Sequence, residues 1–266
     1  MGIDIRYLRT GAGERLLLIH GIGHRRQAWD PVIPLLAEEH EVIAVDLPGF
    51  GESPGLPEDM TYDMPTTITN FGAFIDDLGI ETPHIAGNSL GGAIALELGA
   101  AGLARSVTTL SPAGFWTAAE RRYAVALLSS LRMSTRIPES MLRRIAANPR
   151  LRRESVRTIY SRPDRIDEVR FLGDAMAMRD SVAFKPTAAA GKAYHCRAVP
   201  SVPTTIAWGD RDRVLFPRQA DIARRRLPNA VHISLPGCGH VPMGDNPELI
   251  AEVILRASAE ARSDAA

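Results

Sequence analysis

Short apolar runs that alternate with helix-like segments are the feature that most constrains the fold of this chain. Six such runs are bounded by turn residues and cover positions 16–19, 42–45, 85–86, 107–110, 204–208 and 231–235. Several of them lack strict alternation of apolar and polar residues, which indicates strands that are buried on both faces. Strands that alternate with helices predict an α/β fold with a mostly parallel, doubly wound sheet that helices cover on both faces.

Three of the intervening segments carry clear helix signals. Asp30 and Pro31 can cap and start one helix, because aspartate satisfies free N–H groups and proline suits the first turn. Asn246 and Pro247 open another helix by the same rule. The third segment has apolar residues at helical spacing, namely Ile68, Phe71, Ile75 and Leu78. These patterns predict helices between the strands.

One interval between strands is too long for a single crossover. About ninety residues separate the strand that ends near Pro112 from the one that starts near Pro203, whereas a crossover needs only a few tens. The interval is helical in character, with amphipathic stretches at 123–132 and 140–147. We therefore predict an α/β core formed by residues 1–113 and 199–266, with residues 114–198 inserted as a helical cap over the sheet.

Charge and cysteine content argue against several classes of partner. The chain has 31 Lys and Arg residues and 31 Asp and Glu residues, so no net field attracts nucleic acid or an anionic membrane. Cys196 and Cys238 are too few and too far apart for a disulfide framework, and no Cys/His spacing suggests zinc. The N-terminus lacks a signal-peptide pattern, and no apolar run approaches the length of a membrane span. We therefore expect a cytoplasmic protein.

A serine flanked by glycines occupies the turn after the third apolar run. The stretch Gly87-Asn88-Ser89-Leu90-Gly91 matches the pattern G-x-S-x-G and precedes a helix-like segment. Such a turn needs glycines because a sharp change from strand to helix crowds the neighbouring side chains. It also presents the serine at the carboxyl end of the strand in strained geometry. Motif and context together predict that Ser89 is a catalytic nucleophile.

A serine hydroxyl needs a base that takes its proton, and a histidine late in a glycine-rich loop is the usual partner. His240 fits this description, because it ends the segment 236–240 after the last apolar run. The acid that orients such a histidine lies between the serine and the histidine in the chain, at a strand end. The segment 208–212 offers Asp210 and Asp212 there. We predict Asp212 as the acid and expect Asp210 to end the strand or pair with an arginine.

The loop that follows the first apolar run completes the predicted site. Its sequence is His20-Gly21-Ile22-Gly23, and the glycines let backbone N–H groups face a ligand. We predict that the backbone N–H groups of Ile22 and Leu90 form an oxyanion hole. One such donor contributes about 2.7–4 kcal/mol of transition-state stabilisation in well-studied enzymes. The loop, the serine, the acid and the histidine occur in the order that this chemistry requires.

These motifs resemble those of the α/β-hydrolase fold superfamily, in its cap-bearing branch of esterases and carbon–carbon bond hydrolases. The resemblance covers nearly the whole chain and includes His20-Gly21, Trp29, the stretch 45–53, the Ser89 motif, the stretch 209–217 and Gly239-His240. It implies the α/β-hydrolase fold. In that superfamily the acid follows a glycine by three residues and precedes a proline, which supports Asp212. The resemblance also implies that the inserted cap shapes the substrate pocket.

The resemblance implies a cofactor-independent serine hydrolase that acts on a small-molecule substrate and uses no metal. Carboxylic ester hydrolysis through an acyl enzyme is our expectation. The alternative is hydrolysis of a carbon–carbon bond in a vinylogous diketone, because Asn88 before the serine resembles the motif of the carbon–carbon bond hydrolases. Two features depart from the pattern of those hydrolases, namely Val241 after the histidine and the loop Gly23-His24-Arg25. A non-catalytic receptor on the same fold is a second alternative, and the sequence leaves a homodimer open.

Overall fold

The computed structural model describes residues 3–263, which include a seven-stranded sheet. The strands are β1 (Tyr7–Thr10), β2 (Glu14–Ile19), β3 (His40–Val45), β4 (His84–Asn88), β5 (Ser106–Leu110), β6 (Thr204–Gly209) and β7 (Val231–Leu235). Their order in the sheet is β1-β3-β2-β4-β5-β6-β7. β1 pairs antiparallel with β3, and the other neighbouring pairs are parallel. This topology confirms the predicted mostly parallel sheet and the α/β-hydrolase fold.

Helices cover both faces of the sheet. The helices of the described residues are α1 (Ile33–Leu36), α2 (Met64–Asp77), α3 (Leu90–Ala100), α4 (Ala118–Ser134), α5 (Glu139–Ala147), α6 (Pro149–Val156), α7 (Glu168–Asp180), α8 (Phe184–Gly191), α9 (Gln219–Arg226), α10 (Pro242–Asp245) and α11 (Pro247–Ser263). Short 3₁₀ turns lie at Arg26–Trp29 and Pro163–Arg165. No helix within residues 3–263 has the length and apolar character that crossing a bilayer would require.

Alternate residues of β2 pack on opposite faces of the sheet, as a central strand requires. Leu16 and Leu18 join the core that contains residues of α1 and α11, whereas Leu17 and Ile19 join the core that contains residues of α2 and α3. All four side chains are buried. Full burial of one such side chain stabilises the fold by about 1.5–3 kcal/mol. Burial of this short run therefore favours a central position of β2 in the sheet.

The helix predicted to start at Asp30 and Pro31 begins later, so that prediction is wrong in its start. α1 begins at Ile33, and Asp30 instead ends the preceding 3₁₀ turn through a bond from its N–H to the Gln27 carbonyl. Trp29 is fully buried, and its carbonyl accepts a bond from Val32 N–H. Consecutive turns, which seat the indole in the core, therefore replace the first turn of the expected helix. The other two predicted helices are confirmed as α2 and α11.

Helices α4 to α8 lie between β5 and β6, within the segment 114–198 that we call the inserted segment. The two predicted amphipathic stretches fall within α4 and α5. α4 begins with a capping box in which Thr117 and Glu120 satisfy each other's backbone N–H groups. The Arg132 guanidinium of α4 donates to carbonyls at the end of α7, including Ser181 O at 2.9 Å. These bonds join α4 to the end of α7.

Candidate active site

Ser89 lies in a sharp turn between β4 and α3, with a backbone conformation that non-glycine residues rarely adopt. Its φ is 57° and its ψ is −114°, and such strain costs about 1–3 kcal/mol. A Cβ on Gly87 would lie 2.1 Å from the Gly91 carbonyl oxygen, and a Cβ on Gly91 would lie 2.1 Å from Ile19 O. The glycines of the motif are therefore required because backbone approaches them too closely for any side chain.

Asp212 and His240 form a buried hydrogen-bonded pair at the centre of the site. Asp212 Oδ2 lies 2.8 Å from His240 Nδ1, and the carboxylate is fully buried. The other carboxylate oxygen accepts bonds from the backbone N–H groups of Val214 and Leu215, both at 2.8 Å. These two bonds fix the carboxylate, and the carboxylate in turn fixes a proton on Nδ1. The imidazole is then left with Nε2 as its basic nitrogen.

Asp210, the other acid of the predicted pair, lies apart from this arrangement. Its side chain is exposed, and Oδ1 accepts a bond from Gly237 N–H at 2.8 Å. This contact fastens the turn after β7 to the end of β6. The structure therefore brings Asp212 to His240 and places Asp210 in a structural turn.

His20 organises the loop that passes beside the serine. Its Nε2 accepts a bond from Leu47 N–H at 3.0 Å, and its Nδ1 lies 2.7 Å from Gly21 O. The ring is therefore a neutral imidazole with its proton on Nδ1, and burial lowers the pKa of His20 to about 4. Gly21 passes so close that a Cβ there would lie 3.1 Å from Ser89 Cβ. His20 thus holds the loop against the serine turn.

We expect acid to destabilise the protein through His20. The folded pKa lies at about 4, whereas the unfolded pKa is about 6.5, so between these values only the unfolded chain binds the proton. The contribution of neutral His20 to the free energy of unfolding is complete above about pH 6.5. It is lost as the pH falls to about 4 and amounts to about 3 kcal/mol in total. Urea unfolding across this pH range measures the free energy of unfolding.

A His20→Gln variant supplies the control, because its side chain keeps a donor and an acceptor but does not titrate. Its free energy of unfolding should depend less steeply on pH than that of the wild type, even if its stability at neutral pH is lower. Equal slopes in the two proteins would show that His20 does not carry this dependence.

The two predicted oxyanion donors come from different parts of the chain, Leu90 directly after the serine and Ile22 from the loop after β2. Leu90 is the first residue of α3, so its N–H is one of the four that a helix leaves without an intrahelical partner. Ile22 follows Gly21 in the loop that His20 holds. Both residues line the same small cavity as Ser89. An anion beside Ser89 would therefore also benefit from the positive end of the α3 dipole.

Asn88 has a role that the sequence analysis did not foresee. Its amide Nδ2 donates to the carbonyl of Leu110 at 3.0 Å and to the carbonyl of His240 at 2.9 Å. Both bonds are buried, so they hold the histidine loop against the end of β5. The residue before the serine therefore positions the base, a function that a single sequence does not signal.

Asp245 is the second positioning residue that sequence reasoning missed. Its carboxylate accepts backbone bonds from Gly239 at 2.7 Å, from Arg162 at 2.7 Å and from Ser161 at 3.1 Å. Burial raises its pKa. The carboxylate therefore ties the histidine loop to the inserted segment, and the bond from His240 N–H to Ile159 O at 2.9 Å reinforces this tie. The only hint in the sequence is an acid five residues after His240.

A cavity of about 190 Å³, called here the large cavity, opens beside Ser89 and His240. Most of its wall is apolar and comes from the inserted segment, with side chains that include Leu128, Leu131, Leu142, Ile145, Ile166, Phe171 and Met178. A second cavity of about 60 Å³, the small cavity, also reaches Ser89. An apolar site strengthens hydrogen bonds and charge interactions because it excludes water.

One side of the large cavity is polar. His24 Nδ1 accepts a bond from Arg25 N–H at 3.0 Å, which leaves the proton on Nε2, 3.3 Å from the Tyr160 hydroxyl. Burial lowers the pKa of His24, so the ring is neutral at neutral pH. The carboxylate of Asp174 accepts a bond from Arg25 Nε at 2.9 Å. These contacts form a fixed polar wall beside an apolar chamber.

A family model described as the alpha/beta hydrolase family matches residues 16–253, which include the sheet from β2 onward, the inserted segment and the candidate site. The chain belongs to the α/β-hydrolase family. This membership agrees with the strand order and with the serine turn between β4 and α3.

Curated relatives of this α/β-hydrolase include two hydrolases and a transferase component. Lipase 1 of Psychrobacter immobilis is 29% identical over 252 residues, which cover 91% of this chain and 76% of the lipase. A dihydrolipoyllysine-residue acetyltransferase component of Cupriavidus necator is 37% identical over 133 residues, which cover 48% of this chain and 35% of that protein. A 2-hydroxy-6-oxo-6-(2'-aminophenyl)hexa-2,4-dienoic acid hydrolase of Metapseudomonas resinovorans is 37% identical over 99 residues, which cover 36% of this chain and 33% of that hydrolase.

Solved structures share the fold of this α/β-hydrolase. A thermophilic esterase from Thermogutta terrifontis superposes with a TM-score of 0.75 at 20% identity, covering 97% of this chain and 94% of the esterase chain. At that identity the likeness concerns the fold. Family membership and the hydrolases among its relatives identify the chain as an α/β-hydrolase enzyme.

Proposed function

We propose that this α/β-hydrolase cleaves carboxylic esters of small or medium-sized molecules through an acyl enzyme on Ser89. The observation that carries the proposal is the buried 2.8 Å hydrogen bond between Asp212 and His240 at the cavity that Ser89 lines. This pair supplies an oriented base beside a serine held at a strained turn. The similarity to a lipase over most of the chain supports the same chemistry.

Acylation begins when Ser89 Oγ bonds to the ester carbonyl carbon and His240 Nε2 takes the hydroxyl proton. Negative charge then develops on the carbonyl oxygen, where the N–H groups of Ile22 and Leu90 stabilise it. The Asp212 carboxylate stabilises the imidazolium through Nδ1. The imidazolium gives its proton to the leaving alkoxide as the carbon–oxygen bond breaks, and the alcohol departs.

Deacylation repeats these events with water as the nucleophile. His240 takes a proton from water, the resulting hydroxide adds to the acyl carbon, and the tetrahedral intermediate expels Ser89 Oγ, which regains its proton from the imidazolium. The products are an acid and an alcohol. Because each step is a nucleophilic addition or a proton transfer, the proposal calls for no cofactor or metal.

Carbon–carbon bond cleavage is the second candidate, and the similarity to a dienoic acid hydrolase over 99 residues favours it. A dienoate carries a carboxylate, and its cleavage requires polar groups that hold the carboxylate and an enolate. Among the described residues, no lysine or arginine lines the large cavity, and the acidic Asp174 does. The cavity is therefore better suited to a neutral ester.

Arginines near the site are occupied elsewhere. Arg25 pairs with Asp174, and Arg26 pairs with the fully buried Asp46. Arg153 and Arg157 at the end of α6 are exposed, and neither lines the large cavity. Val241 lies beside the base, where an aliphatic side chain offers no hydrogen bond. These positions also favour an ester over a charged diketone.

We expect a short p-nitrophenyl ester to be turned over in preference to a 2-hydroxy-6-oxo-dienoate. The ester needs no ketonisation and no carboxylate-binding group, so its kcat/KM should be greater by about 10²-fold, or about 2.7 kcal/mol of transition-state discrimination. Both substrates are assayed on one enzyme preparation. A preference of similar size for the dienoate would replace ester hydrolysis by carbon–carbon cleavage.

The same assay addresses the receptor alternative. A receptor with an intact serine, histidine and aspartate would bind small molecules and could react with a fluorophosphonate, yet it would turn over no ester, lactone or diketone. Measurable turnover of any of these substrates therefore excludes a purely non-catalytic role.

A further inference from the structure

The large and small cavities meet at Ser89. Ile22, Ser89 and Leu128 line both of them, whereas the remaining lining residues differ. The large cavity has about three times the volume of the small one, at about 190 Å³ against about 60 Å³. A substrate bonded to Ser89 Oγ therefore has two unequal spaces for its two halves.

The positions of the base and of one oxyanion donor, Leu90, distinguish the two spaces. His240 lines the large cavity but not the small one, whereas Leu90 lines the small cavity but not the large one. In ester cleavage His240 must give a proton to the leaving oxygen, so that oxygen has to lie on the histidine side of the acyl carbon. The acyl chain remains bonded to the same carbon and extends from it in another direction, away from the histidine.

From this geometry we infer that the large cavity holds the alcohol part of the ester and the small cavity holds the acyl part. The substrate class is then an ester of a short acyl group with a larger, mainly apolar alcohol. This inference rests on the proposed ester hydrolysis and adds to it which half of the substrate each cavity takes.

The linings specify the chemistry of each half. Apolar side chains dominate the small cavity, including Ala113, Val125, Phe184 and Val214. The polar indole N–H of Trp116 is used by a bond to Tyr194 O at 3.1 Å. Burial of a charged acyl group among them would be costly, so the acyl group is uncharged.

The alcohol half meets a longer apolar wall with polar groups at its margin. Apolar side chains from α4, α5 and α7 form most of the large cavity, and Ser134, Thr135, Ser155 and Tyr160 add hydroxyl groups. Removal of apolar surface from water favours binding in proportion to the area removed. A long alkyl or cyclic alcohol therefore gains more in the large cavity than a short one.

Octyl acetate and ethyl octanoate test the assignment, because they are isomers that differ only in which half is long. The two esters compete in one reaction below their solubility limits, and gas chromatography follows the loss of each. With equal starting concentrations of the two esters, the ratio of their initial rates equals the ratio of their kcat/KM values. We expect octyl acetate to be preferred by about 10²-fold or more, since even one methylene too many in a pocket costs about 10-fold or more.

Each outcome of this competition has a distinct meaning. A preference for ethyl octanoate, or equal rates, overturns the assignment of the cavities while leaving ester hydrolysis intact. Turnover of neither isomer, together with failure to cleave p-nitrophenyl acetate, overturns the proposed function itself.

Two alanine-to-leucine variants form a matched pair. Ala188 on α8 lines the small cavity and Ala175 on α7 lines the large one, so leucine at each position fills one space. Ala188→Leu should lower the ratio of kcat/KM for ethyl butanoate over ethyl acetate by about 10-fold. Ala175→Leu should instead lower the ratio for octyl acetate over ethyl acetate by about 10-fold.

Circular dichroism and thermal melts establish that both variants fold. The opposite pattern, in which Ala188→Leu discriminates against the long alcohol and Ala175→Leu against the longer acyl group, would exchange the two assignments. If either variant fails to fold, the competition between isomers on the wild-type enzyme still decides the inference.

Discussion

Ser89→Ala should lower kcat for a p-nitrophenyl ester by about 10⁶-fold, the loss seen when the nucleophilic serine is removed from a well-studied serine protease. Alanine has no oxygen to bond to the acyl carbon, so the Asp212–His240 pair has no proton to accept from that position. The substitution keeps a Cβ at the same strained φ of 57°. We therefore expect the fold to survive, because alanine meets the same backbone strain as serine.

Labelling with a fluorophosphonate, detected by intact-mass spectrometry, tests the role of Ser89 as nucleophile without a substrate. The wild type should gain one adduct, and Ser89→Ala should gain none. Ser111→Ala is a matched control, because Ser111 is also buried, follows a neighbouring strand and has a positive φ of 45°. It should be labelled to the wild-type extent. Undiminished labelling of Ser89→Ala would contradict the assignment of the nucleophile.

Asp212→Asn should lower kcat by about 10⁴-fold, as expected for loss of the orienting acid of a triad. Val214 and Leu215 both donate to Oδ1 of Asp212, so an asparagine would keep its oxygen there and turn its NH₂ group toward His240. That NH₂ group would donate to Nδ1 and drive the imidazole proton to Nε2. The imidazole could then no longer take a proton from Ser89.

Asp210→Asn is the matched control, and we expect its kcat to fall by less than about 10-fold. The asparagine oxygen can still accept the bond from Gly237 N–H, and the site is exposed. Both variants need circular dichroism spectra like that of the wild type. If Asp210→Asn lost more activity than Asp212→Asn, the acid of the site would be Asp210.

Patterns within short segments predicted most of the sheet and the serine turn. The run 16–19 is wholly apolar because β2 is buried on both faces, and such a run can be recognised without knowledge of its neighbours. Gly87 is equally local, because the turn itself brings the Gly91 carbonyl oxygen to within 2.1 Å of its Cβ position, whereas the contact that excludes a side chain at Gly91 comes from Ile19 of β2. A requirement made by adjacent residues can be found in the sequence.

β1 shows where such local patterns fail. This strand, Tyr7–Thr10, lies at the edge of the sheet, and three of its four residues are exposed. Its side chains are therefore free to be polar, and no apolar run marks it. The delayed start of α1 has a similar cause, because burial of Trp29 by distant parts of the core overrides the helix signal of Asp30 and Pro31.

The sequence by itself determined the α/β class with its mostly parallel sheet, the alternation of strands and helices, and the turn that carries Ser89. Each of these depends on periodicity or on crowding between neighbours in the chain. The sequence offered both Asp210 and Asp212 and favoured Asp212, but the contact with His240 spans 28 residues and is seen only in the tertiary structure. The tertiary structure alone showed that Asn88 holds the histidine loop and that two unequal cavities meet at the serine. Side chains from separate elements form these features, and one sequence contains no record of how such elements pack.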